Sequence, residues 1–259
     1  MTSKNAPPYP QIFTSYDRAL ECCLTGSYQY PNLVNVVIEK NKIFKEKLAQ
    51  SPEFDLGSMR AVMAVGLSLT GKKISVTDFG GGGGSHYQIA RKSFNKSIAF
   101  DWRVVETPSM ADAANKAISA DGLKFFNDIR SSVLEASPCD LLIASSALQY
   151  CHSPANTLRD LVGLGARYLF ITRTPFSLGA QTLISTQRSM LSENGPGAMP
   201  PGYVDEIIEY PITYIPKFEA EEIILSQYKI IFSLIEEPAS LFFDNLAVNN
   251  YYGFFCERK

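Results

Sequence analysis

The spacing of hydrophobic positions changes once along the chain. Before Gly71 apolar residues recur at helical intervals; after it, short apolar runs alternate with amphipathic segments. Ser15 is placed to cap a helix over Tyr16–Cys23, which ends at the Gly26-Ser27 break. Leu33, Val36, Val37, Phe44 and Leu48 then mark one face of a long helix, with Glu39, Lys40, Lys45, Glu46 and Lys47 on the other side and Ser51-Pro52 as its stop. Phe54–Leu69 reads as a third helix. Beyond Gly71 the pattern predicts strands at Lys73–Asp78, Trp102–Glu106, Leu123–Phe126, Leu141–Ser145 and Tyr168–Thr172, the fourth introduced by Pro138 and Asp140. Helices at Ser85–Lys92, Met110–Ala120 (capped by Ser109) and Ala155–Leu164 (after Ser153-Pro154) alternate with them, which implies parallel βαβ units. The tail adds a helix at Phe218–Ser226 and strands at Lys229–Ile235 and Tyr251–Glu257.

Two stretches do not fit this rhythm. Residues 177–216 read as an irregular insertion, with GPGAMPPG at Gly195–Gly202 either a lid or binding loop or a solvent-exposed excursion. The segment 1–70 reads as a helical extension, packing on the sheet or capping a site, ahead of an α/β domain over 71–259; residues up to Pro10 read as a flexible lead.

Composition narrows the function. The 259 residues carry a net charge of −2 and no long Lys/Arg run, which argues against nucleic acid as a partner. Five cysteines without a Cys-x-x-Cys pair or a Cys/His cluster at zinc spacing read as thiols of a reducing compartment, with no metal site. No apolar run is long enough for a transmembrane segment and the first residues lack a signal-peptide pattern, so a soluble cytoplasmic protein is expected. Oligomeric state has no sequence signature here.

The candidate chemistry centres on ISVTDFGGGGGSHY, Ile74–Tyr87: a strand, an acid, a glycine cluster and a helix start, the form of a cofactor cradle. A phosphate-binding P-loop requires Lys-Ser/Thr after the last glycine, and Ser85-His86 stands there instead. A dinucleotide fingerprint requires a small third residue; only the register from Gly80, which puts Ser85 there, comes near, and Glu106 lies further on than the usual ~20 residues. The third option is the nucleoside cradle of S-adenosylmethionine-dependent methyltransferases, whose first motif Val76–Gly84 resembles.

That resemblance extends further. Gly80–Tyr87, Val104-Val105-Glu106, SSALQY at Ser145–Tyr150 and TRTPF at Thr172–Phe176, in this order, are similar to a family of methyltransferases found with surface-polysaccharide genes. Ser15–Tyr28 fits loosely, with Gly26-Ser27-Tyr28 where the family tends to carry Gly-Tyr. The resemblance implies a doubly wound, Rossmann-like class I methyltransferase sheet, mostly parallel with an antiparallel closing strand, preceded by N-terminal helices. It also implies S-adenosyl-L-methionine as cofactor and a small-molecule acceptor methylated on oxygen or nitrogen, possible acceptors including a sugar or sugar nucleotide. On this resemblance Gly80, Gly82 and Gly84 contact cofactor, Glu106 takes the ribose hydroxyls, Asp128 (or Asn127 beside it) the adenine amino group, and Ser145 lies in the fourth motif beside the reacting methyl.

Other residues have two readings each. Asp78 either binds the methionine amino group or supports the loop. His86 is a candidate proton acceptor by its chemistry, but it lies in the cofactor turn, which suits closing over the ligand rather than doing chemistry. His152 is a candidate proton acceptor or a surface residue beside a helix cap. Tyr150 and Gln149 fit substrate or adenine contact, or packing. Arg173 either pairs an anionic substrate or makes a structural salt bridge. An NAD(P)-dependent oxidoreductase and a non-catalytic binding protein of the same fold are the alternatives.

Overall fold

A computed structural model describes residues 11–51, 53–55, 57–134, 139–237, 241–243 and 246–259. The lead up to Pro10, Pro52 and Pro138 lie outside the described residues.

Three helices open the structure: α1 (Tyr16–Cys22), α2 (Pro31–Gln50) and α3 (Met59–Ser68). The Ser15 hydroxyl caps α1 by accepting from the Arg18 amide at 3.2 Å, as expected. Helix α3 starts five residues later than the apolar pattern predicts. Its preceding turn is held by Asp55, which accepts from the Ser58 amide and hydroxyl at 2.9 and 2.6 Å.

The sheet then builds through β1 (Lys73–Phe79), α4 (Ser85–Ser93), β2 (Ala99–Val105), α5 (Pro108–Ala117), β3 (Leu123–Phe126), α6 (Ile129–Leu134), β4 (Leu141–Ser145), α7 (Pro154–Gly163) and β5 (Tyr168–Ser177). After an antiparallel pair, β6 (Leu183–Met190) with β7 (Ile207–Tyr214), the chain returns through α8 (Lys217–Leu225), β8 (Tyr228–Glu237), β9 (Leu241–Phe243) and β10 (Leu246–Arg258). The main sheet has the order β3-β2-β1-β4-β5-β10-β8, with β9 paired to β10. Strands β1 to β5 pair in parallel; β10 is antiparallel to both β5 and β8. This is the mostly parallel doubly wound sheet with an antiparallel closing strand.

Both faces of the sheet are covered, which explains the near-continuous apolar strands. Leu141 and Ile143 of β4 join a cluster with Val76, Trp102, Val104 and the α2 residues Leu33, Val36 and Val37. Leu142 and Ala144 face the opposite cluster, with Leu158, Leu161, Ile224 and Phe254. Among the described residues, no helix is long and apolar enough to cross a membrane.

Several expectations need correction. Residues 177–216 are not irregular throughout, because β6 and β7 form a two-stranded sheet inside them. Pro211 sits mid-strand in β7 and masked it, although a strand with a free edge tolerates the missing N–H. Strand β5 runs on to Ser177 through Pro175, and β10 starts at Leu246 rather than Tyr251. Helix α5 starts at Pro108 with Thr107 as its cap residue, so Ser109 lies inside it. Lys40 is not on a solvated face: it is 1% exposed and its Nζ donates to the Ser192 carbonyl at 2.6 Å. Helix α2 is covered on that side by the segment after β6, and burial holds the Lys40 pKa below its ordinary value.

Candidate active site

After Asp78 and Phe79 at the end of β1, five glycines carry the chain into α4. Gly80, Gly82 and Gly84 have φ of +70°, +56° and +77°. This left-handed region costs about 1–2 kcal/mol for a residue with a side chain. Space is short as well: a Cβ on Gly80 would run into Ala147, and one on Gly83 into Asn41 of α2. The loop is pinned by Gly80 N–H donating to the Val105 carbonyl (2.8 Å), Gly84 N–H to the Gly81 carbonyl (3.0 Å) and Gly82 N–H to Glu106 Oε1 (2.9 Å). The amides of Gly81 and Gly83 find no acceptor among the described residues. Together with the α4 N-terminus they present free N–H groups at the turn.

Glu106 stands one residue beyond β2. Oε1 accepts from Gly82 and Oε2 from the Thr107 amide, each at 2.9 Å. Burial raises its pKa above the ordinary carboxylate value; these two N–H groups work against that rise, and Asp78 adds to it. Each oxygen keeps a lone pair for a further donor. Asp78 lies under the loop with no exposure, its Oδ2 3.1 Å from His86 Nδ1 and accepting from Trp102 Nε1 at 3.2 Å. Burial works to lower the His86 pKa, but the charge and hydrogen bond of Asp78 outweigh it, and the net shift is upward.

Two cavities meet over this loop. The larger, about 880 Å³, is bounded by Gly80–Gly83, His86, Ser145, Arg173, Arg60 of α3, Asn41 of α2 and Gly195–Gly197. The smaller, about 460 Å³, runs over Thr107-Pro108, Asn127 and Asp128, with Tyr16, Tyr150 and Tyr210 on its other side. Tyr28, Gly80, Glu106 and Ser146 line both. The Glu106 carboxylate therefore stands at the junction.

Solved structures show the same chain path. A S-adenosylmethionine-dependent methyltransferase from Clostridium acetobutylicum ATCC 824 matches with a TM-score of 0.50 at 10% identity, over 85% of this chain and 98% of its own. The CcbJ methyltransferase from Streptomyces caelestis matches with a TM-score of 0.50 at 10% identity, over 78% and 95%. The fold is a methyltransferase fold. No protein-family model matches the sequence, and no curated protein matches it.

Within this methyltransferase fold, the structure brings most of the sequence-selected residues to one edge of the sheet. Gly80, Gly82, Glu106 and Ser145 line the cavities, and so does His86. Gly84 caps α4 against Leu123 and Phe125. Asp78 lines neither cavity and is engaged beneath the loop by His86 and Trp102. Asp128 lines the smaller cavity beside Asn127, but one of its oxygens is engaged in capping α6 through the Ser131 amide (2.7 Å) and hydroxyl (2.9 Å).

Tyr150 walls the smaller cavity, packed on Tyr28 and Tyr210 with its hydroxyl donating to Gln187 at 3.1 Å. Burial pushes its pKa above the ordinary phenol value, with the Tyr210 and Tyr251 phenols adding to the rise. His152 is not brought to the site. Its side chain is 69% exposed, meets the Tyr16 ring at a tilt of 49° and lies 3.4 Å from the exposed Asp17. It follows a short 3-10 turn, Leu148–Tyr150, that swings it toward α1 rather than over the sheet.

Three site residues were not singled out from sequence. Tyr28 follows the α1 break, Arg60 lies in the first turn of α3, and Glu236 is next to last in β8. Glu236 is 4% exposed, pairs with Arg60 Nε at 2.8 Å, and accepts from the Thr172 hydroxyl and, at 3.1 Å, the Arg173 amide. These contacts span more than sixty residues, so no local pattern carries them.

Proposed function

We propose that the protein is a S-adenosylmethionine-dependent methyltransferase acting on an oxygen or nitrogen of a small acceptor. The observation that carries the proposal is Glu106 at the junction of two cavities, beside a glycine loop with two unengaged amides. A carboxylate there can accept both hydroxyls of a ribose, and the free amides suit the polar end of an amino acid. The antiparallel β10 between β5 and β8 also supports this reading over a dinucleotide oxidoreductase, whose usual sheet is parallel throughout.

In this reading Gly80–Gly83, Glu106 and Ser145 hold the cofactor, with Asn127 and Asp128 at the adenine end. Asp78 and His86 keep the loop in shape. Bound there, S-adenosylmethionine supplies an electrophilic methyl, which an acceptor lone pair takes as the carbon–sulfur bond breaks. The chain's contribution is alignment and exclusion of water. Tyr28, α2 and Arg60 of α3 close over the larger cavity, so α2 and α3 act as a cap. The motif resemblance favours a sugar or sugar nucleotide from surface-polysaccharide synthesis as acceptor.

Calorimetric titration with S-adenosylhomocysteine tests the proposal. One-site binding is expected, weakened at least tenfold, or about 1.4 kcal/mol, in Glu106→Ala. Folded protein that binds NAD(H) and not S-adenosylhomocysteine would overturn it.

A further inference from the structure

Among the described residues only two non-glycine residues have positive φ, Ser146 (+54°) and Arg173 (+53°). Both stand at the same edge of the sheet, after β4 and within β5, and one side chain joins them: Gln149 Nε2 donates to Ser146 Oγ at 3.1 Å and to the Arg173 carbonyl at 3.3 Å. The Arg173 amide is taken by Glu236. Both backbone polar groups of Arg173 are thus held by buried side chains, in a conformation that glycine would adopt without strain. Strain of this kind persists where the surrounding structure enforces it, and it concentrates at functional sites.

The charges around the large cavity make the case specific. Each acid on its wall is engaged: Asp55 by Ser58, Glu106 by Gly82 and Thr107, Glu193 by the Met190 amide at 2.9 Å, and Glu236 by Arg60. The exposed Arg173 guanidinium has no hydrogen-bond or ion-pair partner among the described residues, although it lines the cavity. Glu236, which takes the Arg173 amide, is spent on that amide, on the Thr172 hydroxyl and on Arg60. A fork of five donors is left facing an open cavity whose other cations are Arg60, already paired, and His86, held by Asp78.

Resting on the methyltransferase reading, we propose that the acceptor carries an anionic group, a carboxylate or a phosphate, and that Arg173 receives it. Position separates this role from binding of the cofactor's own carboxylate. Strand β5 lies two strands from β1 and three from β2, about 10 and 14 Å at a spacing of about 4.8 Å, so Arg173 stands beyond the glycine loop on the side away from the ribose acid.

The test titrates the S-adenosylhomocysteine-saturated full chain with inorganic phosphate and with malonate. Saturable binding of at least one anion is expected, weakened tenfold or more in Arg173→Gly and partly kept in Arg173→Lys. Because φ of +53° suits glycine, Arg173→Gly should melt no lower than the parent, and its S-adenosylhomocysteine affinity should change less than threefold. Neither anion binding to the saturated parent, or equal binding in Arg173→Gly, would overturn the proposal. So would a tenfold loss of S-adenosylhomocysteine affinity in Arg173→Gly with 5′-methylthioadenosine, which lacks the amino acid, bound as before; Arg173 would then serve the cofactor. If the folded parent binds no S-adenosylhomocysteine, the methyltransferase reading fails separately, and the same anion titration on the ligand-free chain still decides whether Arg173 holds an anion.

Discussion

The two walls of the large cavity reach the same backbone conformation by different means. On the β1 side, Gly80, Gly82 and Gly84 take positive φ at no steric cost, and backbone-amide bonds within the loop and to Val105 and Glu106 at the end of the neighbouring strand β2 hold them. On the β5 side, Ser146 and Arg173 take nearly the same φ against a steric penalty, held by the side chains of Gln149, three residues after Ser146, and of Glu236 in the remote strand β8. If the proposed roles hold, glycine stands where the backbone meets the ligand, and strain enforced by neighbours stands where a side chain meets it.

Substitutions can break this contrast. Gly80→Ala should be the most damaging, since it combines a left-handed φ with a collision against Ala147. A loss of about 3 kcal/mol in urea unfolding is expected from strain plus overpacking, together with loss of S-adenosylhomocysteine binding. Glu236→Gln should cost about 2 kcal/mol by the same measurement, because the ion pair with Arg60 is lost and the bonds from Thr172 and Arg173 lose their charged acceptor. A neutral result there would mean the β5 wall is not held by that carboxylate.

The Asp78–His86 pair sets a pH dependence. Its folded pKa is raised, so the stabilisation by His86 is fully present below the ordinary value of about 6.5 and is lost as pH rises through the higher folded value. Melting temperatures of the parent and His86→Gln should converge as pH rises across that window; a constant gap would show that the imidazole is not charged in the fold. The smallest effect belongs to His152→Ala. With an exposed partner, less than about 0.5 kcal/mol is expected, and no change in S-adenosylhomocysteine affinity.

The same contrast explains what was legible in the sequence. The β1 wall is local: strand, acid, glycines and helix start follow one another, and Glu106 ends the next apolar run, so composition and spacing suffice. The parallel core was equally readable, because strands covered on both faces are continuously apolar. The β5 wall is assembled from β4, β5, β8 and α3, and Glu236 and Arg60 are unremarkable in their own segments. Pro211 and Pro175 hid strand in the region after Thr172. His152 drew notice through its chemistry alone, and the turn at Leu148–Tyr150 that removes it from the site has no sequence mark.

A crystal structure of the complex with S-adenosylhomocysteine would decide whether the glycine wall is a cofactor wall. The ribose hydroxyls should lie on the Glu106 carboxylate, with the adenine in the smaller cavity and the amino-acid end in the larger one beside Gly81 and Gly83. Ligand bound away from Glu106, or with both ends in one cavity, would contradict the assignment.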